Sequence, residues 1–374
     1  MRWLKRLGIA LGVLLLLIVA ASWWLLDTGA GLRFVIARAQ TATHGALHIE
    51  QTEGSVLGPL HLRGIHYQNA DGLDVAVASV KTDLRFWPLL SKTLRITTLN
   101  VEGIAVTLPS TPASTSSEAD ASLSLQPPIN IVLDQAHIGA LKISQDSAPV
   151  FAAQRIDLAG RWTHAGVVLT QLALRAADGH ADISGQLGIG KHYRGDGKAD
   201  FAWTVGDITY AGSLSASSDG ALAHATLAFT QPTAAELQLQ LQQHGALPWT
   251  AHLRVAAFDP KSLLGDSAVH RLAVNIQGSG DHHGGNLHGS IDVNDYAVML
   301  QPLRAHFSDD WTSLTLDELV LTSAQIKGQL QANGSVQLDA QPLSGKLDVH
   351  WQNVELPADL VGQTLASHGS LSAS

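Results

Sequence analysis

Two hydrophobic periods divide this chain. From Leu7 to Leu26 the sequence LGIALGVLLLLIVAASWWLL carries no charge; it opens behind Arg2, Lys5 and Arg6 and closes at Asp27. About 20 residues at about 1.5 Å each reach about 30 Å, the thickness of a bilayer core. Leu32, Val35, Ile36 and Ala39 then recur at helical spacing, with Arg33 and Arg38 on the other side, which predicts a short amphipathic helix over Gly31 to Gln40. Beyond it the period falls to two. Leu60 and Leu62, Val75 and Val77, Leu84 and Phe86, Leu94 and Ile96, and Ile129, Ile131 and Leu133 alternate with polar or small residues. Leu172 and Leu174, then Leu237, Leu239 and Leu241, then Leu253 and Val255, continue the pattern. So do Leu272, Val274 and Ile276, Val336 and Leu338, and Leu347, Val349 and Trp351. In ELQLQLQQ (Glu236 to Gln243) one strand face is pure leucine and the other glutamine.

Asp71-Gly72, Asp178-Gly179, Asp196-Gly197, Asp219-Gly220 and Asn333-Gly334 supply the positive φ angles that two-residue hairpins need, so the strands are expected to form an antiparallel meander. The segment Pro109 to Pro128, rich in Ser, Thr, Ala and Pro, is too poor in bulky apolar residues to fold and reads as a disordered loop. Single helical turns are expected at Pro260 to Leu264, capped by Asp259, and near Pro357 to Val361. The organisation predicted is therefore 1–27, a cytoplasmic tip and transmembrane signal anchor; 28–40, the amphipathic helix; 41–108, a first β segment; 109–128, the loop; and 129–374, continuing repetitive β structure.

An all-β chain of this kind must put its apolar faces somewhere. A transmembrane barrel would carry aromatic girdles, and aromatics are 5% here. Tandem β-sandwiches would pair the faces with each other. An open sheet curled into a groove would leave them to line it. Lys and Arg on the inward face would argue for the sandwich, and the alternating apolar positions contain none. Trp162, Trp203 and Trp351 are in phase with those positions, as core or rim residues.

The basic cluster precedes the apolar run, so the N-terminus is expected in the cytoplasm and the bulk outside it. The competing reading is a signal peptide cleaved after Val19, Ala20 and Ala21, but the run continues through Trp23 and Trp24, residues that favour the bilayer interface. With no cysteine, an exported chain holds no disulfide. A net charge of −9 argues against a nucleic-acid partner. Motifs for Ser hydrolases, zinc peptidases, P-loops and dinucleotide sites are missing, so no catalytic residue and no cofactor is assigned. Asp281, His282 and His283 form the densest cluster among 18 histidines; adjacent strand residues face opposite ways, so a Gly-flanked turn is expected there rather than a metal site. Asp309-Asp310 reads as a loop before Trp311, and the sequon at Asn333 as a hairpin turn.

The stretches GLRFVIARA (Gly31 to Ala39), IEQTEGSVLGPLHLRGIHYQ (Ile49 to Gln68), LRFWPLLSKTLRITTLNVEGIAVTLP (Leu84 to Pro109) and LRVAAFDPKSLLG (Leu253 to Gly265) resemble the N-terminal part of the TamB family, the inner-membrane subunit of the translocation and assembly module. The order of features matches too: anchor, short helix, Glu53-Gly54 with Leu57, a Trp-Pro before a Leu-rich turn, then a Pro- and Ser-rich loop. The likeness implies a β-taco-like, AsmA-like groove that moves phospholipid between inner and outer membranes. Its acyl chains would meet Leu60, Leu62, Val75, Val77, Leu94, Ile96, Ile129, Ile131, Leu133, Leu172, Leu174 and the later alternating residues named above. It also implies an outer-membrane TamA-like barrel as partner, through a C-terminal region expected to be missing because Leu371 to Ser374 stops in mid-pattern. The alternative is a periplasmic scaffold that assists outer-membrane protein insertion or secretion without carrying lipid. At about 4.8 Å per strand and about 11 residues per strand, a single stack would reach roughly 140 Å.

A retained anchor keeps the residues before Ser22 on the mature protein. Peptide sequencing is expected to recover them; a mature N-terminus at Ser22 or Trp23 would instead identify a cleaved signal.

Overall fold

The computed structural model describes residues 28–374, apart from 44, 56–57, 70–71, 86, 110–125, 146–147, 191–192, 262–268, 339–343, 357–364 and 374. Helix α1 (Gly29–Ala42) begins where Thr28 takes an extended backbone and its Oγ1 accepts the Gly31 N–H at 3.5 Å. Leu32 is buried, Ile36 and Ala39 are half-buried, and Arg33, Phe34 and Arg38 are exposed, as the helical spacing predicts. The helix overruns the predicted span at both ends and closes where Thr43 Oγ1 donates to the Ala39 carbonyl at 3.0 Å. It starts beside the far end of the first strand, where a Cβ on Gly29 would lie 3.6 Å from the Gly54 carbonyl oxygen. No helix among the described residues is long and apolar enough to cross a membrane, and the anchor reading falls on residues outside them.

The chain divides into two units, Met1–Gly190 and Lys191–Ser374. In the first, β1 (Leu47–Gly54), β2 (Leu60–Gln68) and β3 (Asp74–Arg85) lead through a 3-10 helix (Trp87–Ser91) into β4 (Thr93–Leu108). Then follow β5 (Asn130–Gln145), β6 (Ala148–Thr163), β7 (Gly166–Arg175) and β8 (Gly179–Gly188). Each strand pairs with the one before it, and the described pairings do not close on themselves. All are antiparallel except β4 and β5, which run parallel from Thr93↔Asn130 to Leu108↔Gln145. The uniform meander is therefore corrected at one place. Parallel neighbours need a connection that returns the full strand length, and 109–129 is the one long enough.

The second unit is antiparallel throughout. It runs through β9 (Arg194–Val205), β10 (Ile208–Asp219), β11 (Leu222–Gln231), β12 (Ala235–Gln242), β13 (Trp249–Phe258) and β14 (Leu272–Gly280). It continues through β15 (Gly284–Val293), β16 (Tyr296–Phe307), β17 (Ser313–Ser323), β18 (Lys327–Gln337), β19 (Ser344–Leu356) and β20 (Leu365–Ala373). At about 4.8 Å between strands the eight strands of the first unit are about 34 Å across and the twelve of the second about 53 Å, fewer strands than the 140 Å expectation needs. Strands as long as the 16 residues of β4, β5 and β6 use up chain that the estimate gave to more numerous, shorter ones.

Strict alternation does not survive strands of this length, because twist forces irregular residues into them. In the first unit Gly64 (φ +61), Gly103 (φ +67) and Ala140 (φ +53) fall in one row across β2, β4 and β5. Each adds the odd residue that returns the apolar phase: Leu62 then Ile65, Val101 then Ile104, Ile138 then Leu141. Because neighbouring strands carry the extra residue at the same row, the register holds on both sides of it.

Two turn assignments are corrected. Asp196-Gly197 lies inside β9 and Asn333-Gly334 inside β18, neither glycine having positive φ. Gly334 instead gives room to its neighbour, since a Cβ there would strike the Lys346 carbonyl. Asp219-Gly220 is a turn as expected, with Gly220 at φ +92 and the Asp219 carboxylate accepting from Ala221 and Leu222 N–H. Asp259 Oδ1 accepts the Lys261 N–H at 2.9 Å, as a cap would. The rest of that helical turn, the Pro357 turn and most of the Pro109 to Pro128 loop lie outside the described residues.

The phase-restoring row predicts two effects of opposite sign. Gly103→Ala forces an L side chain into the left-handed region with its Cβ 2.8 Å from that of Ala78, and is expected to destabilise the first unit by about 1–2 kcal/mol. Ala140→Gly relieves the same strain and is expected to stabilise it by roughly 0.5–1 kcal/mol. Urea midpoints of the two variants against the parent check both.

Candidate functional site: an uncovered apolar face

Side chains that face each other in the register share one side of a sheet, and here apolar residues share the same side in strand after strand. One row of the first unit runs Leu60, Thr82, Leu99, Ala136, Leu158, Leu172, Ile183 from β2 to β8. The next runs Leu62, Val80, Val101, Ile138, Ile156, Leu174, Ala181. In the second unit Leu227, Leu237, Leu253 and Ile276 align across β11 to β14, and Leu316, Gly334 and Leu347 across β17 to β19. No registered position on this side, among the described residues, carries a charge.

The predicted residues fall on this face. In the first unit Val75 and Val77 lie opposite Tyr67 and Ile65, Leu94 and Ile96 opposite Ile131 and Leu133, and Leu172 and Leu174 opposite Leu158 and Ile156. In the second, Leu239 and Leu241 join Leu237; Val255 meets Val274, Leu272 meets Val293, and Val336 follows Leu314. Val349 and Trp351 pair with Ala332 and Leu330. Ile129 lies one residue before β5 and Leu338 one residue after β18, each in phase with its strand.

None of the predicted positions is buried. Leu237 is 37% exposed, Leu239 39% and Leu347 45%. The buried apolar side chains among those described include Leu32, Val101, Leu300, Pro260 and four alanines, Ala136, Ala153, Ala173 and Ala332. Facing sheets of a sandwich would enclose their inward leucines at interior packing density. These leucines of the second unit retain over a third of their surface, as Ile183 (37%) and Leu187 (39%) do on the same side of the first, so within each unit the face is open. An exposed Leu of this degree forgoes about 1 kcal/mol, so rows of half-open leucines mark a surface suited to an apolar partner.

Concavities lie along the face of the second unit. One, of about 390 Å³, is lined by Leu241, Leu287, Leu303 and Leu314 and ringed by Trp249, Phe307 and Trp311. A neighbour of about 380 Å³ shares Leu314 and extends over Val336 and Leu347. The Trp249 indole lies over glycines: a Cβ on Gly285 would be 2.5 Å from its Cζ2, and one on Gly280 2.8 Å. Its Nε1 donates to the Asp281 carbonyl at 2.9 Å. Trp311 stacks on Phe307 with centroids 4.7 Å apart, in a loop tied by the Asp310 carboxylate, which hydrogen bonds from Ser308 and Thr312 hold down at about 2. Trp351, also over a glycine (Gly369), donates to Ser367 Oγ at 3.0 Å.

The sequence reading missed Trp249, Leu287, Leu303, Leu314, Leu316, Leu319 and Leu321. Their signal is present but broken by bulges: Leu316 to Leu319 spans three residues at a register shift, and Leu300 to Leu303 does the same beside it. A search for strict alternation loses phase there.

The opposite side is polar and paired. Glu236, Gln238, His252 and Asn275 bond across and along β12 to β14, with His252 Nε2 2.8 Å from Asn275 Oδ1. Arg304 meets Glu318 at 3.4 Å, His306 meets Asp317 at 2.9 Å, and Lys327 meets Glu355 at 2.8 Å. In the first unit Asp157 accepts from Arg155 at 2.7 Å and lies 2.9 Å from His137 Nδ1. The Arg155 hydrogen bond, with help from His137, holds Asp157 below the usual carboxylate range against some desolvation. Asp281 closes the turn between β14 and β15 by accepting from His283 and Gly284 N–H, while His282 Nδ1 lies 2.7 Å from the Ala246 carbonyl. No group of three metal-ligating side chains occurs among the described residues.

Fold and face together define a class: an all-β protein of open amphipathic sheets with one polar side and one uncovered apolar side. The family model described as TamB, N-terminal domain, matches residues 16–153 and 123–374, and the chain belongs to that family. Searches of curated proteins and of solved structures gave no match.

The Asp157 pair predicts a pH dependence. A carboxyl whose folded value is depressed contributes stability above its unfolded value, near 4, and loses it as pH falls through the lower folded value. The parent is therefore expected to be more stable than Asp157→Asn at neutral pH. The difference should narrow below about pH 4, as followed by urea denaturation at several pH values.

Proposed function

We propose that the apolar face carries the acyl chains of phospholipid, and that this protein is a periplasmic conduit for lipid between the inner and outer membranes, held in the inner membrane by the run from Leu7 to Leu26. The observation that carries the reading is the face itself, mostly apolar and uncharged at every registered position among the described residues, and open in both units. Two acyl chains passing from bilayer to water cost on the order of 20 kcal/mol at about 0.8 kcal/mol per CH₂. A sheet that leaves its leucines uncovered offers those chains a surface that lowers the barrier, and the chains cover the leucines in turn. Headgroups would remain in water at the open side. No residue in this reading performs catalysis, and no cofactor takes part. An outer-membrane TamA-like barrel is the partner it calls for at the distal end.

Leu239 tests the reading. It lies between Ala225 and Ala251, and its exposure leaves space for a carboxylate to reach solvent. Leu239→Asp is expected to cost about 1–2 kcal/mol of stability, to keep β content by circular dichroism, and to lose most of the phospholipid that co-purifies with the parent. Gln240→Asp, on the polar side, is expected to keep it. A folded Leu239→Asp with an unchanged lipid load in mass spectrometry overturns the conduit. That outcome favours a scaffold for outer-membrane proteins, which would engage client strands at sheet edges rather than across the face.

A further inference from the structure

The two ends of the first unit are chemically different. Gly29 lies beside Gly54, Gly54 pairs with Leu60, and Leu60 with Thr82. From Thr82 the strand β3 runs only to Arg85 before the 3-10 helix Trp87–Ser91. The start of α1, directly after the charge-free run that ends at Leu26, and the 3-10 tip therefore share one end of the sheet. The tip presents Trp87 at 72% exposure and Leu89 at 38%, with Arg85 and Lys92 exposed on either side of it. Phe34, also 65% exposed, sits beside Arg33 about 9 Å along α1 from Thr28. At the other end of the same strands lie Asp74 and the β5–β6 hairpin.

We propose that this end of the first unit docks on a membrane surface, with Trp87 and Leu89 entering the interfacial layer and Arg85 and Lys92 meeting lipid phosphates. The occupant is argued from chemistry and chain length. Trp prefers the water–bilayer boundary, and basic residues flanking an apolar tip complement anionic headgroups. A chain that leaves the bilayer at Asp27 has one residue before α1, so the end carrying Thr28 cannot lie far from the membrane plane. Attachment at two points, the anchor and the tip, fixes the orientation of the sheet and sets its apolar face against the bilayer at that end. The proposal rests on the anchor reading within the proposed function.

The chain has no cysteine, so single cysteines report position cleanly. Leu89→Cys and Val150→Cys, the latter 60% exposed at the opposite end, are labelled with nitrobenzoxadiazole in the full chain and reconstituted into phosphatidylethanolamine–phosphatidylglycerol vesicles. The label at residue 89 is expected to be blue-shifted and quenched severalfold more by brominated lipid than the label at residue 150, and to retreat to water when Trp87→Glu is added. A label at residue 89 quenched by iodide as readily as that at residue 150, in a chain that resists alkaline carbonate extraction, overturns the docking and leaves the anchor standing. Persistence of lipid quenching in Trp87→Glu also overturns it. Release of the chain by carbonate overturns anchor and docking together.

Discussion

A β-sheet that leaves one apolar face uncovered has to be held by its backbone ladder and by contacts between neighbours within that face. Everything else in this protein follows from that constraint. Among the described residues the buried apolar side chains are few: Leu32 on α1, Val101 and Leu300, Pro260, and small side chains such as Ala136 and Ala332 low on the sheet. The larger leucines touch their row neighbours but stay half-open. Their cohesion comes from cross-strand pairing such as Leu237 with Leu227 and Leu253, worth only tenths of a kcal/mol to about 1 kcal/mol per pair. Summed over many strands that suffices for a sheet, while leaving a face able to accept a further apolar layer.

Keeping every row apolar over strands of up to 16 residues requires the phase of alternation to be corrected repeatedly. Aligned irregular residues do this. Gly64, Gly103 and Ala140 form one such line, whereas in the second unit β16 and β17 each carry a bulge of their own, between Leu300 and Leu303 and between Leu316 and Leu319, and the register shifts there. A bulge in one strand alone would throw its neighbours out of register; in adjacent strands together it bends the sheet and preserves the rows. Glycines serve the same face differently. Gly278, Gly280 and Gly285 clear the floor on which the Trp249 ring lies, so a bulky aromatic fits without lifting off the strands.

The polar side keeps such a molecule manageable. Its pairs, Arg95 with Asp134, Arg175 with Asp182 and Lys327 with Glu355, are exposed and individually weak, but they leave that side no apolar row for a second sheet to pack on. The uncovered apolar face is then confined to one side of the sheet in each unit.

The sequence by itself determined the secondary structure type, the amphipathic helix after Thr28, and the sidedness of most strands, because period-two patterning in runs such as Leu237–Leu239–Leu241 has one solution in a sheet. It also carried the family, through local words around Glu53, Trp87 and Asp259. It could not determine that β4, antiparallel to β3 on one side, takes β5 as a parallel neighbour on the other, since that pairing rests on hydrogen bonds between strands separated by the long 109–129 connection. It mistook Asp196-Gly197 and Asn333-Gly334 for turns, because a glycine chosen to admit a neighbouring chain looks the same as one chosen for positive φ. Whether the apolar side is enclosed was the question alternation leaves open: a sandwich core and an open face demand the same residues at the same spacing. Only the tertiary structure decided it, because burial depends on what lies opposite a side chain, and opposite these leucines there is space.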